Sequence, residues 1–519
     1  MTLPASAAPA RPPLPFRAIP DMVREHAQAH PERTALIQGE RSFSRREFDD
    51  LVDRVAASLQ RDGVAPRDTV AVCATTSPEY AALYLGVVRA GAATAPLAPS
   101  STPQQLASMI EDSGARLFFT DRGVAQTLVG TELPAGVQRI ALDDTPEAGH
   151  PFSEWLVPVG TTPKSVSVQP DWPFNIIYSS GTTGTPKGIV QPHGMRWAQV
   201  WRGEDLEYGD AVTLLSTPLY SNTTLVVFLP TLANGGCVVL MPKFDAGGYL
   251  ALAEKHRVTH TMLVPVQYQR LMDHPEFDRF DLSSFKYKFC TSAPFHAALK
   301  AQVLARWPGA LIEFYGMTEG GGACALQAHL FPDKLHTVGR PFEGHDIRLI
   351  DEEGRELPLG STGEVVGRSH TMMTGYHNSP EKTAEAEWFD QEGRRYIRTG
   401  DVGRFDEDGF LTLMDRRKDM IISGGFNIYP SDLEGVLRKH PAVADVAVLG
   451  VPSREWGETP VAFVVAAAGA AASADEIKQW MNAQVGKTQR LSDLRLVDAL
   501  PRSAIGKILK RELRDAYRP

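Results

Sequence analysis

The stretch Tyr178-Ser179-Ser180-Gly181-Thr182-Thr183-Gly184-Thr185-Pro186-Lys187-Gly188 follows directly on an apolar run, Phe174-Asn175-Ile176-Ile177-Tyr178, that reads as a buried strand. A strand that feeds into glycines, hydroxyls and one lysine has the residue types that wrap a polyphosphate. Gly181, Gly184 and Gly188 allow close backbone approach, Ser179, Ser180, Thr182 and Thr183 donate hydrogen bonds, and Lys187 supplies a point charge. The spacing is not that of a Walker A loop: Pro186 stands where that motif needs its second glycine, and Gly188 follows the lysine where a Ser or Thr would bind magnesium. A flexible Gly/Thr-rich surface turn has the same composition, so the loop alone does not decide between the two readings.

Working outward, helical and strand-like patterns alternate. Ser44 and Glu47 form a capping box ahead of an apolar stripe, Phe48, Leu51, Val52, Val55 and Leu59, that stops at Gly63. A strand is expected over residues 70–74, a helix over 80–89, and another helix from the Thr102/Gln105 box to Gly114, before the apolar Leu117-Phe118-Phe119. Further strand patterns at 212–215, 238–241, 261–264 and 289–291 make this an α/β layered fold. The pattern shifts between Phe405 and Asp419, where the charged run Asp415-Arg416-Arg417-Lys418-Asp419 precedes a new set of elements. Boxes at Ser431/Glu434 and Ser473/Glu476, strands at 446–451 and 461–465 and an Ala/Gly-rich loop over 466–474 predict a second, smaller α/β domain. The expected division is a tail over residues 1–15, a large domain over 16–415 and a small one over 416–519.

Composition narrows the function classes. A chain of 519 residues exceeds one ordinary core, so two or more domains are expected. A net charge of -9 argues against a general binder of nucleic acid or anionic membrane, and any polyanionic ligand must be met by locally placed Lys and Arg. Cys73, Cys237, Cys290 and Cys324 form no Cys-x-x-Cys pair, which points to reduced, buried thiols rather than a zinc site or disulfide framework. The Pro/Ala-rich residues 1–15 have no apolar segment of a secretory signal or membrane span, and Tyr517-Arg518-Pro519 is no peroxisomal address; a disordered tail on a cytoplasmic protein is expected.

Five further strings stand downstream in fixed order. Ser292-Ala293-Pro294 is followed by Glu313-Phe314-Tyr315-Gly316-Met317-Thr318-Glu319, then by Thr399-Gly400-Asp401, by Ser423-Gly424-Gly425-Phe426 and by Ser503-Ala504-Ile505-Gly506-Lys507. Each alone has a bland reading: a tight glycine turn with a solvated glutamate, a turn aspartate, a helix-start lysine. Together with the loop at 178–188 they resemble the adenylate-forming superfamily of acyl- and aryl-CoA synthetases, peptide-synthetase adenylation domains and luciferases, over nearly the whole chain. The resemblance implies a large adenylation domain of several subdomains with a small mobile C-terminal domain. It implies that Ser179–Gly184 and Lys187 hold phosphates, that residues 292–294 and 313–317 surround the adenine, and that Thr318 reaches the α-phosphate. Glu319 would hold Mg2+, Asp401 the ribose, and Arg416 the ribose or phosphate side. Lys418 falls at the hinge position, Gly424 and Gly425 beside the pantetheine arm of coenzyme A, and Trp456 and Arg490 at coenzyme A contacts. Gln489-Arg490-Leu491 departs from the family's usual Lys-Arg-Pro there. Lys507 would bridge the substrate carboxylate and the α-phosphate.

The function implied is ATP-dependent ligation of a carboxylic acid to coenzyme A through an acyl-adenylate, with release of AMP and pyrophosphate. The chain ends twelve residues after Lys507, which favours free coenzyme A over an attached carrier. Loading of a separate carrier protein is the alternative; a non-catalytic nucleotide scaffold is opposed by the intact Lys187, Glu319, Asp401 and Lys507. By resemblance the acyl pocket is built from Tyr220, Ser221 and Thr224, from Val264, and from Gly316, Gly320 and Gly321. Ser221 replaces a histidine common in relatives, and Phe314 stands where malonate-activating relatives carry arginine, so a second carboxylate would be buried unpaired. A bulky apolar monocarboxylic acid, aromatic or alicyclic, is expected, with a medium-chain fatty acid as the alternative. His193 has no catalytic partner in the pattern and is expected to pack or cap.

Overall fold

The computed structural model describes residues 15–179, 187–201, 203–416, 419–423, 426–453, 456–486, 489–503 and 506–518. Among these, the strands form four sheets. In the first, of eight strands, Thr69–Cys73 lies between Ala93–Pro96 and Leu117–Thr120, all parallel. The helices Pro78–Arg89 and Pro103–Ser113 provide the crossovers, and covered on both faces these strands read as near-continuous apolar runs. The predicted strand ahead of the phosphate loop is present as Pro173–Ser179. It pairs in parallel with Ala93–Pro96 and forms an antiparallel hairpin with Lys187–Pro192, onto which the short Gly375–Tyr376 strand adds.

The second sheet has nine strands, parallel through Ala310–Tyr315, Tyr287–Cys290, His260–Leu263, Val212–Leu215, Cys237–Leu240 and Thr34–Gln38. One hydrophobic cluster takes in Val70 and Val72 of the first sheet, Leu36, Leu215 and Met262 of the second, and Phe48, Leu83 and Phe228 from helices, so the two sheets share a core. The Pro78–Arg89 helix buries every residue except Glu79, as a helix enclosed on all sides must. Its neighbour Arg45–Arg61 comes so close that a Cβ on Gly86 would lie 2.4 Å from Val55 Cγ1.

A third sheet, of five strands, includes Arg395–Phe405 with Leu411–Arg416 paired along its edge. The fourth is organised on the hairpin of Val443–Ser453 and Gly457–Ala466 and packs the helices Pro430–Leu437 and Ala474–Ala483 against Val446, Val448, Ala462 and Val464. The capping boxes at Ser44/Glu47, Thr102/Gln105 and Ser473/Glu476 all form. The one expected at Ser431/Glu434 does not: the Pro430–Leu437 helix starts without a side-chain cap. Ser431 Oγ donates instead to the Met414 carbonyl, and Glu434 accepts from the Val448 amide and pairs with Lys510, so tertiary partners have taken both groups. Cys73, Cys290 and Cys324 are buried free thiols and Cys237 is half-buried. Among the described residues no helix is long and apolar enough to cross a membrane.

Candidate active site

A single cavity of about 3790 Å³ opens where the first three sheets meet the C-terminal part of the chain. It is lined by Ser179, Lys187, Ser292, Ala293, Pro294 and Tyr315, and continues past Gly316, Met317, Thr318, Glu319, Asp401 and Lys507. Segments more than 300 residues apart thus converge on one space.

The hairpin sets the cationic side. Ser179 and Lys187 are opposite each other in register, so the ends of the phosphate loop are held at one point. Lys187 Nζ lies 5.0 Å from the centroid of the Tyr376 ring, and the Tyr376 hydroxyl donates to Glu319 Oε1 at 2.9 Å. One aromatic side chain therefore holds both the lysine and the carboxylate, with the ring face toward the cation and the hydroxyl toward the anion. Burial and the neighbouring Glu319 charge push the Tyr376 hydroxyl well above its usual titration range, so it remains a donor at neutral pH.

Asp401 is held in a similar way. The Tyr315 hydroxyl donates to Asp401 Oδ2 at 2.8 Å, the Asp401 amide donates to Thr399 Oγ1 at 3.0 Å, and Thr399 in turn donates to the Val365 carbonyl. Arg416 is placed opposite Asp401 by strand register. Ser292 has φ of 81°, a left-handed conformation rare for serine, and its hydroxyl lies 2.5 Å from that of Thr223, which ties it to the start of the Asn222–Ala233 helix. Ser221 caps that helix by accepting from the Thr223 amide.

Lys507 arrives on a small turn. Arg502 donates to the Gly506 carbonyl at 2.6 Å and to Asp445 at 2.6 Å, and the Ser503 amide donates to the Lys507 carbonyl at 2.8 Å. Gly506 has φ of +76°, and a Cβ there would lie 2.7 Å from Val266 Cγ1. Only glycine fits at that seat.

The cavity is also lined by Trp197, Trp201, Tyr208, Tyr220, Ser221, Val226, Val266, Phe314, Gly320 and Phe342. Phe314 stacks on Phe289 with centroids 5.4 Å apart and planes 19° from parallel, and leans against Phe342 at 5.5 Å.

Several expected residues are placed elsewhere. Thr224 is fully buried and spends its hydroxyl on Thr217 and the Pro218 carbonyl, one helical step away from the cavity. Val264 and Gly321 lie behind the lining, where Val266, Gly320 and Gly322 face the space instead. Glu313 borders the cavity, but its carboxylate is committed to Lys300; burial pushes it up to about 7. Trp456 and Arg490 lie off the cavity, with Trp456 36% exposed. Ser180, Gly181, Thr182, Thr183, Gly184, Lys418, Gly424 and Gly425 lie outside the described residues. His193 packs as expected, between the rings of Phe16 and Phe174, and burial lowers it to about 4. Tyr376 was not anticipated; it belongs to no motif, and its two-residue strand has no pattern to read.

Among the described residues no group of three or more His, Cys, Asp or Glu side chains could hold a metal ion. A lone carboxylate, Glu319, with one oxygen taken by Tyr376, suits Mg2+ held chiefly by phosphate oxygens and water.

The family model for AMP-binding enzymes matches residues 23–377, and the model for the C-terminal domain of those enzymes matches 432–507. A feruloyl-CoA synthase from an Amycolatopsis species is 34% identical over 505 residues, covering 95% of this chain and 97% of that protein. 4-Coumarate–CoA ligase 2 of Nicotiana tabacum is 32% identical over 474 residues, covering 89% and 87%. The structure of the amide bond synthetase McbA from Marinactinospora thermotolerans superimposes with a TM-score of 0.84 at 29% identity over 96% of this chain and 99% of that one. With the motif residues 292–294, 313–319, 399–401 and Lys507 gathered on one cavity and both family models matched, the chain belongs to the AMP-binding enzymes and is an AMP-forming acid–thiol ligase that uses ATP, Mg2+ and coenzyme A.

Proposed function

We propose that this ligase activates an aromatic monocarboxylic acid of the benzoate or cinnamate type. The observation that carries this reading is the wall of Phe314 and Phe342, which faces the same cavity as Lys187, Thr318 and Lys507 and offers a planar apolar body a stacking surface. A second carboxylate would meet Phe314 there and be left unpaired.

In the first half-reaction the acid carboxylate attacks the α-phosphorus of ATP, an O–P bond forms, and the bond to pyrophosphate breaks. Lys187 and the loop ending at it would bind the outer phosphates, and Thr318 the α-phosphate. Glu319, oriented by Tyr376, would hold Mg2+, which when bound neutralises phosphate charge. Tyr315 holds Asp401 ready to accept the ribose hydroxyls, and Ser292, Ala293 and Pro294 would border the adenine. Lys507 supplies positive charge where the carboxylate and α-phosphate meet. No protein nucleophile is required, because this chemistry needs positioning and electrostatic stabilisation.

In the second half-reaction the coenzyme A thiol loses its proton and attacks the acyl carbon, and AMP leaves. Trp456 and Arg490, now off the cavity, would contact coenzyme A once residues 416–519 turn about Lys418 to bring Gly424 and Gly425 to the site. The arrangement described here, with Lys507 in the cavity, suits the first half-reaction.

The test is kcat/KM for AMP release with coenzyme A present, compared across ferulate, benzoate, cyclohexanecarboxylate, octanoate and malonate. A ring acid is expected to lead. Malonate as the best substrate would overturn the pocket reading, and octanoate far ahead of every ring acid would move the enzyme to the fatty-acid class.

A further inference from the structure

Behind the nucleotide residues lies a buried polar chain that no motif announces. Arg196, Asn175 and Gln191 each have 0% exposure. Arg196 Nε and Nη2 donate to Asn175 Oδ1 at 3.1 and 3.0 Å, Nη1 donates to Gln199 Oε1 at 2.9 Å, and Nη2 donates to Gln191 Oε1. The other end of the Gln191 amide, Nε2, donates to the Thr318 carbonyl at 2.6 Å and to Asn222 Oδ1 at 3.3 Å. Among the described residues no carboxylate pairs with or hydrogen-bonds to Arg196; its hydrogen-bond partners are amides, and its guanidinium carbon lies 5.9 Å from the centroid of the Phe174 ring.

A fully buried guanidinium without a counter-charge is a costly way to join a hairpin to a helix. Asn175 Nδ2 already donates to Gln191 Oε1 at 2.8 Å, so the two amides reach each other without it. What the charge adds is polarisation. A cation on Gln191 Oε1 strengthens the Nε2 donor, and that donor grips the carbonyl that fixes the peptide plane between Thr318 and Glu319.

We propose that Arg196, acting through Gln191, is a positioning residue for adenylation: it fixes the Thr318–Glu319 peptide and so aims the Thr318 hydroxyl and the Glu319 carboxylate at the triphosphate. The inference rests on the assignment of those two residues to the nucleotide. It predicts an effect on turnover rather than on acid binding, because a reacting contact displaced by about an ångström costs on the order of 100-fold while the acyl pocket is untouched.

The experiment is ATP–pyrophosphate exchange with ferulate on the full-length protein and on Arg196→Met, Arg196→Lys, Gln191→Met and the Arg196→Met/Gln191→Met double variant, with melting curves for each. Arg196→Met and Gln191→Met are each expected to lower the exchange kcat by about 10- to 100-fold with the KM for ferulate unchanged. The double variant should be no slower than the slower single, since both residues act along one path, and Arg196→Lys, which keeps charge and a donor, should recover part of the loss. A folded Arg196→Met exchanging at the wild-type kcat overturns the proposal, as does a double variant whose loss is the product of the two singles. If Arg196→Met does not fold, Gln191→Met decides: wild-type kcat there overturns it equally. Failure of the underlying functional reading shows separately, as absence of exchange with ring acids by the wild-type enzyme.

Discussion

The two sides of the cavity are built on different terms. On the large side, Glu319 and Asp401 are held by tyrosine hydroxyls from neighbouring strands, and Ser292 is locked in a left-handed conformation by Thr223. On the small side, Lys507 sits exposed at the end of a turn whose seat against the rest of the protein is the contact of Gly506 with Val266. Charge that must be ready before substrate arrives is fixed by hydrogen bonds inside one body. By the function proposed above, the charge of Lys507 serves only one of the two steps and would ride on a surface free to lift away. A site that runs two reactions in turn needs both kinds.

The strongest way to break this contrast is Lys507→Ala. Pyrophosphate exchange is expected to fall by at least ~100-fold, the scale of losing one group that stabilises transition-state charge, while thioester formation from supplied acyl-adenylate is retained. Equal loss in both steps would mean that Lys507 belongs with the fixed side. Next comes the seat. Gly506→Val puts a branched side chain at a positive φ and into Val266, and exchange should drop by roughly tenfold, less than for Lys507→Ala, with some fall in melting temperature from the strained turn; a full wild-type rate would show that the turn does not dock there during catalysis.

On the fixed side, Tyr376→Phe keeps the ring under Lys187 and removes the hydroxyl from Glu319. Exchange is expected to fall by a few-fold to about tenfold, the net value of one ordinary hydrogen bond, with a rise in the Mg2+ concentration needed for half-maximal rate. An unchanged Mg2+ dependence would separate Glu319 from the metal. The smallest effect is on stability alone. His193 is held neutral by burial, with its pKa lowered from 6.5 to about 4. Over that window the unfolded chain binds more protons than the folded one, so stability falls as pH drops from 6.5 toward 4, by up to about 3 kcal/mol. His260 and His296 are lowered to about 4 as well, so His193→Gln should lessen that slope by one group's share without altering exchange at neutral pH, and an undiminished slope would assign it to the other groups.

How far the chain could be read in advance follows from where its information sits. Helix starts written within four residues, at Ser44/Glu47, Thr102/Gln105 and Ser473/Glu476, form as read because both partners of each box are local. The same pattern fails at Ser431/Glu434, where Met414, Val448 and Lys510 arrive from other elements and take both side chains. The site motifs were legible as short strings, and the cavity gathers residues 292–294, 313–319, 399–401 and Lys507, while Ser423 lies off it. Their supports were not. Tyr376 and Arg196 are single residues whose roles depend on Glu319 and Thr318, respectively 57 and more than 100 residues away. The expected pocket residues Thr224, Val264 and Gly321 are not among those lining the cavity, whereas their neighbours Thr223, Val266 and Gly320 are, because a motif fixes which segment borders the space and not which of its side chains turns inward.

The meeting of Gly506 with Val266 joins two decisions that could have been separate. Val266 lines the cavity proposed to take the acid, and it is also the surface on which the lysine-bearing turn rests. An acid that pushes this wall outward would bind and yet leave the turn unseated. Discrimination against such a molecule would then be recorded in turnover and not in affinity, and an ill-fitting acid would behave as an inhibitor before it behaved as a poor substrate.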